Sequence, residues 1–188
     1  MRHLLSALAL LALAACAGAE PPQLFLLDAP APARAGAADG RIVGLREIGL
    51  PLYARRVQIA SQGENGVILA DDANRWAEDP PRAATRLVAR TLSAIRGAAV
   101  YPDPWPQGAA PDLVATVEVD RFLGALGGEV RLEGQLTLSE AGRRAGAKTE
   151  TFSISAPVAG ADHAALAAAY GAALAALAER IEAGVQAF

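Results

Sequence analysis

The stretches LVATVEVD (113–120) and VRLEGQLTL (130–138) decide the fold. In the first, Leu113, Ala115, Val117 and Val119 alternate with Val114, Thr116, Glu118 and Asp120. In the second, Val130, Leu132, Leu136 and Leu138 alternate with Arg131, Glu133, Gln135 and Thr137. A period of two sends successive side chains to opposite faces, so both runs read as strands with one dry face and one wet face. A third run repeats the pattern, with Phe152, Ile154 and Ala156 set against Thr151, Ser153 and Ser155. Gly127-Gly128 and the Gly142 to Gly146 region supply turns between them, which predicts an antiparallel meander.

A sheet with one apolar face needs a cover. Downstream, Leu166, Tyr170, Leu174, Leu177, Ile181, Val185 and Phe188 recur at helical spacing, and Asp162 is placed as an N-cap, so a helix is expected from about Asp162 to near Val185. Upstream, Ala84, Leu87, Val88, Leu92 and Ile95 form a second stripe. Pro80-Pro81 can start that helix, since proline's missing N–H costs nothing in a first turn, and Gly97 can end it.

Before this helix the chain reads as short strands. Arg41 to Gly49 is strand-like, and Pro51 in Leu50-Pro51-Leu52-Tyr53 marks a strand end or a sheet edge. Val57 to Ala60 and Val67 to Ala70 flank Asn65-Gly66, a pair that tolerates the positive φ of a type I′ hairpin turn. Asp71 to Asp79, with Trp76, comes next and leads to the helix at Pro80-Pro81. A short strand is expected over Ala98 to Tyr101, before a Pro-rich loop through Pro111. The fold class is therefore α/β in the α+β sense: a mixed, largely antiparallel sheet with a three-strand meander, packed by two main helices.

At the N-terminus Arg2 and His3 precede an almost unbroken Leu/Ala run from Leu4 to Leu13. The run is shorter than the roughly 20 apolar residues that a bilayer crossing needs, and it fits a signal-peptide core over residues 1–15. It ends in Leu13-Ala14-Ala15-Cys16, which resembles the lipobox of bacterial lipoproteins, whose cysteine carries the lipid. The competing reading is an ordinary signal peptide with an incidental cysteine. By the same resemblance Ala17, in place of an Asp after the cysteine, points to the outer membrane. Residues 16–40, rich in Ala, Pro and Gly, read as a tether with an edge strand at 24–27, and residues 41–188 as one periplasmic domain.

Composition narrows the function. The 188 residues carry a net charge of −3, and the basic residues are scattered, which does not make a nucleic-acid footprint. Cys16 is the only cysteine, so no disulfide and no multi-cysteine metal site is expected. His163 stands in a helix first turn, and no serine sits in a Gly-x-Ser-x-Gly elbow. Glu118 and Asp120 share a polar strand face, which is more simply solvated surface than an acid–base pair. No enzyme activity, cofactor or metal is expected.

Leu50-Pro51-Leu52-Tyr53, then Val57-Gln58-Ile59, then Asn74-Arg75-Trp76-Ala77-Glu78, a helix with Leu92-Ser93, and later Val119-Asp120-Arg121-Phe122 follow one another in an order that resembles the PqiC-type (YmbA-like) ABC-type transport auxiliary lipoproteins. The resemblance implies a non-catalytic outer-membrane lipoprotein of a lipid transport system, working with an MCE-domain protein and inner-membrane transport components. By analogy it also implies ring-like homo-oligomers and contact with phospholipid. Lipid attachment is expected at Cys16 and partner contacts at Pro51, Tyr53 and Trp76, although Trp76 could equally be a core aromatic at the helix start. The alternative is a structural or envelope-stress lipoprotein that binds another envelope protein without lipid transport.

Overall fold

The computed structural model describes residues 21–32, 40–142 and 146–188. The expected signal peptide, Cys16, parts of the tether and the middle of the Gly142 to Gly146 turn lie outside the described residues. The elements in chain order are β1 (Gln23–Phe25), β2 (Val43–Leu45), β3 (Ser61–Gln62), β4 (Ile68–Leu69), β5 (Asn74–Trp76), α1 (Pro80–Arg96), β6 (Val100–Pro102), β7 (Leu113–Gly124), β8 (Glu129–Glu140), β9 (Lys148–Pro157) and α2 (His163–Gln186).

The meander forms as its alternation requires. β7 pairs antiparallel with β8 in a register that sets Val117 opposite Leu136, and β8 pairs antiparallel with β9, setting Leu132 opposite Ile154. Ala115, Val117, Val130, Leu132 and Leu136 are fully buried on the dry face. A register shift between Val119 and Arg121 then breaks the period, and beyond it Phe122, Leu123 and Gly124 are all buried. The other edge of β7 serves two partners: β2 runs parallel to its start, Val43 beside Leu113, and β3 pairs with its end, Ser61 beside Gly124. β2 also pairs parallel with β6, and the chain between them crosses over through α1. The sheet is thus mixed, with a parallel β6–β2–β7 part joined to the antiparallel meander.

Upstream of α1 the structure differs from the sequence reading in detail. The strand expected over Arg41 to Gly49 is laddered only at Val43–Leu45, plus one bridge from Gly49 to Glu118. Between them the Ile48 N–H leaves the ladder and donates to Thr85 Oγ1 of α1 at 3.0 Å. The first strand of the hairpin falls on Ser61–Gln62 instead of Val57 to Ala60, while the second, Ile68–Leu69, lies within the expected Val67 to Ala70. Segment 57–59 pairs elsewhere: Ile59 N–H donates to Asn74 O at 3.0 Å and Trp76 N–H donates to Val57 O at 2.6 Å. Asn74 to Trp76, to which the sequence pattern assigns no element, is therefore strand. β1 lies on its other side, parallel, with Leu24 beside Arg75 and Phe25 beside Trp76, in a two-stranded sheet separate from the main one.

Both helices cover the dry face. Asp79 caps α1, its carboxylate accepting from Arg82 N–H at 3.3 Å, and Gly97 ends it in the left-handed region at φ 64°. Asp162 caps α2 by accepting from Ala165 N–H at 2.8 Å. Leu166, Leu174, Leu177, Ile181 and Val185 are fully buried, each stabilising the fold by about 1.5–3 kcal/mol. The length and apolar content of α2 would suit a membrane span, yet its stripe is packed against β8 and β9. Arg96, 1% exposed at the end of α1, donates through Nη1 to Glu182 Oε2 of α2 at 2.7 Å and through Nη2 to Arg41 O at 3.1 Å. Arg41 Nη2 in turn donates to the Val185 carbonyl at 2.8 Å, placing a cation at the negative end of α2.

Candidate contact surface

Pro51 and Tyr53 build one corner of the molecule. Pro51, at φ −63° and ψ 153°, leads from the buried Leu50 into a 3-10 turn over Leu52–Arg55, which closes when Ala54 N–H donates to Pro51 O at 2.9 Å. With Leu50 and Ala54 both buried, the turn throws Leu52 outward, 74% exposed. Tyr53 is half-buried, and its hydroxyl accepts from Phe122 N–H at 3.0 Å just past the β7 irregularity. The turn is thereby fixed to the sheet.

Beside it stands the β3–β4 hairpin. Asn65 and Gly66 take φ 55° and 78°, the left-handed pair that a tight I′ turn requires, and Gly63 N–H donates to Val67 O at 2.8 Å. β4 is the outermost strand at this end of the sheet. Val67, Ile68 and Leu69 are exposed in succession, at 54%, 42% and 53%. Leu52, Tyr53, Arg56, Ala60, Ile68 and Ala70 line an open groove of about 390 Å³.

Trp76 lies beneath this corner, 7% exposed. Its ring meets Tyr170 edge-on at 5.7 Å between centroids, and Phe122 meets Tyr170 the same way at 4.6 Å, the favoured arrangement for aromatic quadrupoles. The Tyr170 hydroxyl donates to Ala60 O at 2.8 Å and accepts from Gly124 N–H at 3.1 Å. Burial pushes the Tyr170 phenol well above its ordinary range. Of the three residues singled out from sequence, Tyr53 and Trp76 thus hold the groove from within and Pro51 starts its rim. Leu52, Arg56, Ile68 and Ala70, which form its outer lining, were missed. The available signal was Val67-Ile68-Leu69, an apolar run in a strand too short to be covered on both faces.

Charge on this side is uneven. Arg55 and Arg56 are exposed, and neither has an ion pair among the described residues. Asp72 is held below the usual carboxylate range by the hydrogen bond from Gln58 and then by the neighbouring Arg75, whose Nη2 lies 2.6 Å from Asp72 Oδ1. Asp71 is engaged by the N–H groups of Ala73 and Asn74, both at 2.9 Å. Among the described residues no group of three His, Cys, Asp or Glu side chains is placed to hold a metal ion. Glu118 and Asp120 are both exposed, with Val119 buried between them, as solvated residues on one strand face before the register shift.

The chain thus presents an apolar groove at one end of a mixed sheet packed by two helices. The sequence matches the family described as the ABC-type transport auxiliary lipoprotein component over residues 25–182, and the chain belongs to that family. A crystal structure titled only as an uncharacterized protein aligns with a TM-score of 0.72 and 16% identity over 88% of this chain and 99% of that one. Protein XCC0632 from Xanthomonas campestris aligns with a TM-score of 0.64 and 19% identity over 85% and 89% of the two chains. These likenesses concern the fold alone. No curated protein matches the sequence.

Proposed function

We propose that this chain is the lipid-anchored, outer-membrane auxiliary subunit of an MCE/ABC-type lipid transport system, with an assembly role and no catalysis of its own. The observation that carries the reading is membership of the transport auxiliary lipoprotein family together with Leu13-Ala14-Ala15-Cys16 at the end of an apolar leader. In this reading residues 1–15 are removed, Cys16 carries the lipid, and Ala17 leaves the protein free to reach the outer membrane. The domain meets an MCE-domain protein that connects to inner-membrane transport components. Pro51, Tyr53 and Trp76 frame a contact corner of the domain, and ring-like self-assembly belongs to the same proposal. Crosslinking of the full chain in its native membranes, followed by affinity capture, tests it. An MCE-domain protein among the partners supports lipid transport, whereas recovery only of peptidoglycan-bound or envelope-assembly proteins favours the structural alternative.

A further inference from the structure

Resting on the anchored-lipoprotein reading, we infer that the contact surface around Leu52 and Ile68 seats on an anionic phospholipid bilayer, in addition to the lipid on Cys16. The first argument is reach. Only six residues lie between Cys16 and Gln23, a contour of about 25 Å when fully extended. Gln23 N–H donates to Ala73 O at 2.7 Å, and Ala73 is three residues from Ala70 in the groove lining. The expected tether over residues 16–40 therefore does not hold the domain at the end of a long leash, because β1 docks first. An anchor at Cys16 keeps this corner close to the lipid surface.

The second argument is the chemistry of the corner. Leu52, Val67, Ile68 and Leu69 are exposed apolar side chains gathered around one turn and one edge strand. Leu24, 64% exposed, stands in register with Arg75, which bridges to Gln58, two residues from the groove-lining Arg56. Arg55 and Arg56 supply cations without ion-pair partners among the described residues, while the nearby Asp71 and Asp72 are engaged by local donors. Apolar side chains that enter about 5–10 Å below the headgroups, with Arg55 and Arg56 beside them at headgroup level, match an anionic bilayer surface. An uncovered edge strand with an apolar face is otherwise a template for aggregation, and at headgroup depth its free N–H and C=O groups still meet water.

The test uses the full chain reconstituted in vesicles of phosphatidylethanolamine and phosphatidylglycerol, with a nitroxide on Leu52→Cys, Ile68→Cys or, as a control on the wet face of β8, Gln135→Cys. Labels at 52 and 68 should become accessible to oxygen and shielded from a water-soluble nickel complex, while the label at 135 should not. Arg55→Gln and Arg56→Gln should each weaken that shielding by roughly fivefold on anionic vesicles, and neither should matter on phosphatidylcholine. Labels at 52 and 68 as open to nickel as the one at 135 overturn the inference. So does dipolar broadening between labels, which would assign the surface to a second copy. Mass analysis of the N-terminal peptide reads Cys16 acylation separately. If acylation is absent the anchor reading falls, and the same shielding on added vesicles still decides the surface.

Discussion

The hydroxyl of Tyr170, in the middle of α2, donates to the carbonyl of Ala60 at 2.8 Å, binding the covering helix to the floor of the groove. The same oxygen accepts from Gly124 N–H at 3.1 Å, so one buried phenol satisfies two backbone groups from two segments. Tyr170→Phe keeps the ring packing and leaves both groups unpaired, which should cost about 1–3 kcal/mol for each buried group. Urea unfolding of both proteins, compared at the midpoint, reads the loss.

The pH dependence carries a second signature of that phenol. Burial raises its pKa in the folded protein above the ordinary 10.0, so on unfolding the group releases a proton once the pH exceeds about 10. Below that pH the contribution to stability is complete, and it is lost progressively as pH rises toward the folded value. The wild type should therefore lose more stability than Tyr170→Phe between pH 9 and pH 11. Parallel stability curves for the two proteins over that window would contradict the assignment.

The meander makes a simpler claim. Leu132 and Val117 are fully buried on its dry face, whereas Glu133 faces the other way and accepts a hydrogen bond from the Ser153 hydroxyl at 3.5 Å. Leu132→Asp or Val117→Asp places an unpaired carboxylate in the core, at several kcal/mol against a total stability of about 5–15 kcal/mol. Neither should give a cooperative thermal transition. Glu133→Ala should stay within about 0.5 kcal/mol of wild type.

These strands and both helices were legible because their signals are local. Alternation over 113–138, the two helical stripes, the Pro80-Pro81 start, and the ends marked by Gly97 and Asp162 each refer to residues a few positions apart. β5 was not legible, because Asn74-Arg75-Trp76 has no alternation of its own and becomes a strand only between segment 57–59 and β1. The hairpin turn and second strand were readable from Asn65-Gly66 and Val67 to Ala70, while the first strand slid by several residues because Val57 to Ile59 found a partner farther along the chain. The contact surface was legible only by its frame. Pro51, Tyr53 and Trp76 stand out as unusual residue types, but which of them faces water is set by long-range packing against Phe122 and Tyr170.

Gly171 tests whether β1 is part of the domain. A methyl at this position of α2 would overlap the carbonyl oxygen of Asp28, just past β1. Alanine in a helix interior ordinarily gains up to about 1 kcal/mol over glycine, so the clash and the propensity act in opposite directions. Because the obstacle is backbone, Gly171→Ala should release the 23–29 segment, at about 1–3 kcal/mol as overpacking does. Faster hydrogen exchange at Gln23 and Ala77, whose N–H groups bond across this pairing, would register it. Gly184→Ala is the control, since its methyl would meet only the end of the Leu138 side chain, at 2.9 Å.

Removing the anchor should separate binding from function. In the proposed reading the surface that meets the MCE-domain partner belongs to the folded domain, and the lipid on Cys16 sets only where that surface is presented. Attachment to the membrane raises the effective concentration of the domain beside an envelope partner, a gain of about 10²–10⁴ that needs no new contact. Cys16→Ala should abolish acyl incorporation, measured by radiolabelled palmitate, and leave an unprocessed precursor or a soluble periplasmic protein. Purified soluble protein should bind the MCE-domain partner with nearly unchanged affinity, yet fail to restore detergent resistance in a strain lacking the native chain. Substitutions at exposed Leu52 or Ile68 should leave processing intact and weaken function by loosening the seat on the membrane. Full restoration of detergent resistance by Cys16→Ala would mean that position relative to the membrane is not what the anchor supplies. Absence of any binding by the soluble protein, at concentrations where the anchored form is captured with its partner, would mean that the membrane itself completes the binding site.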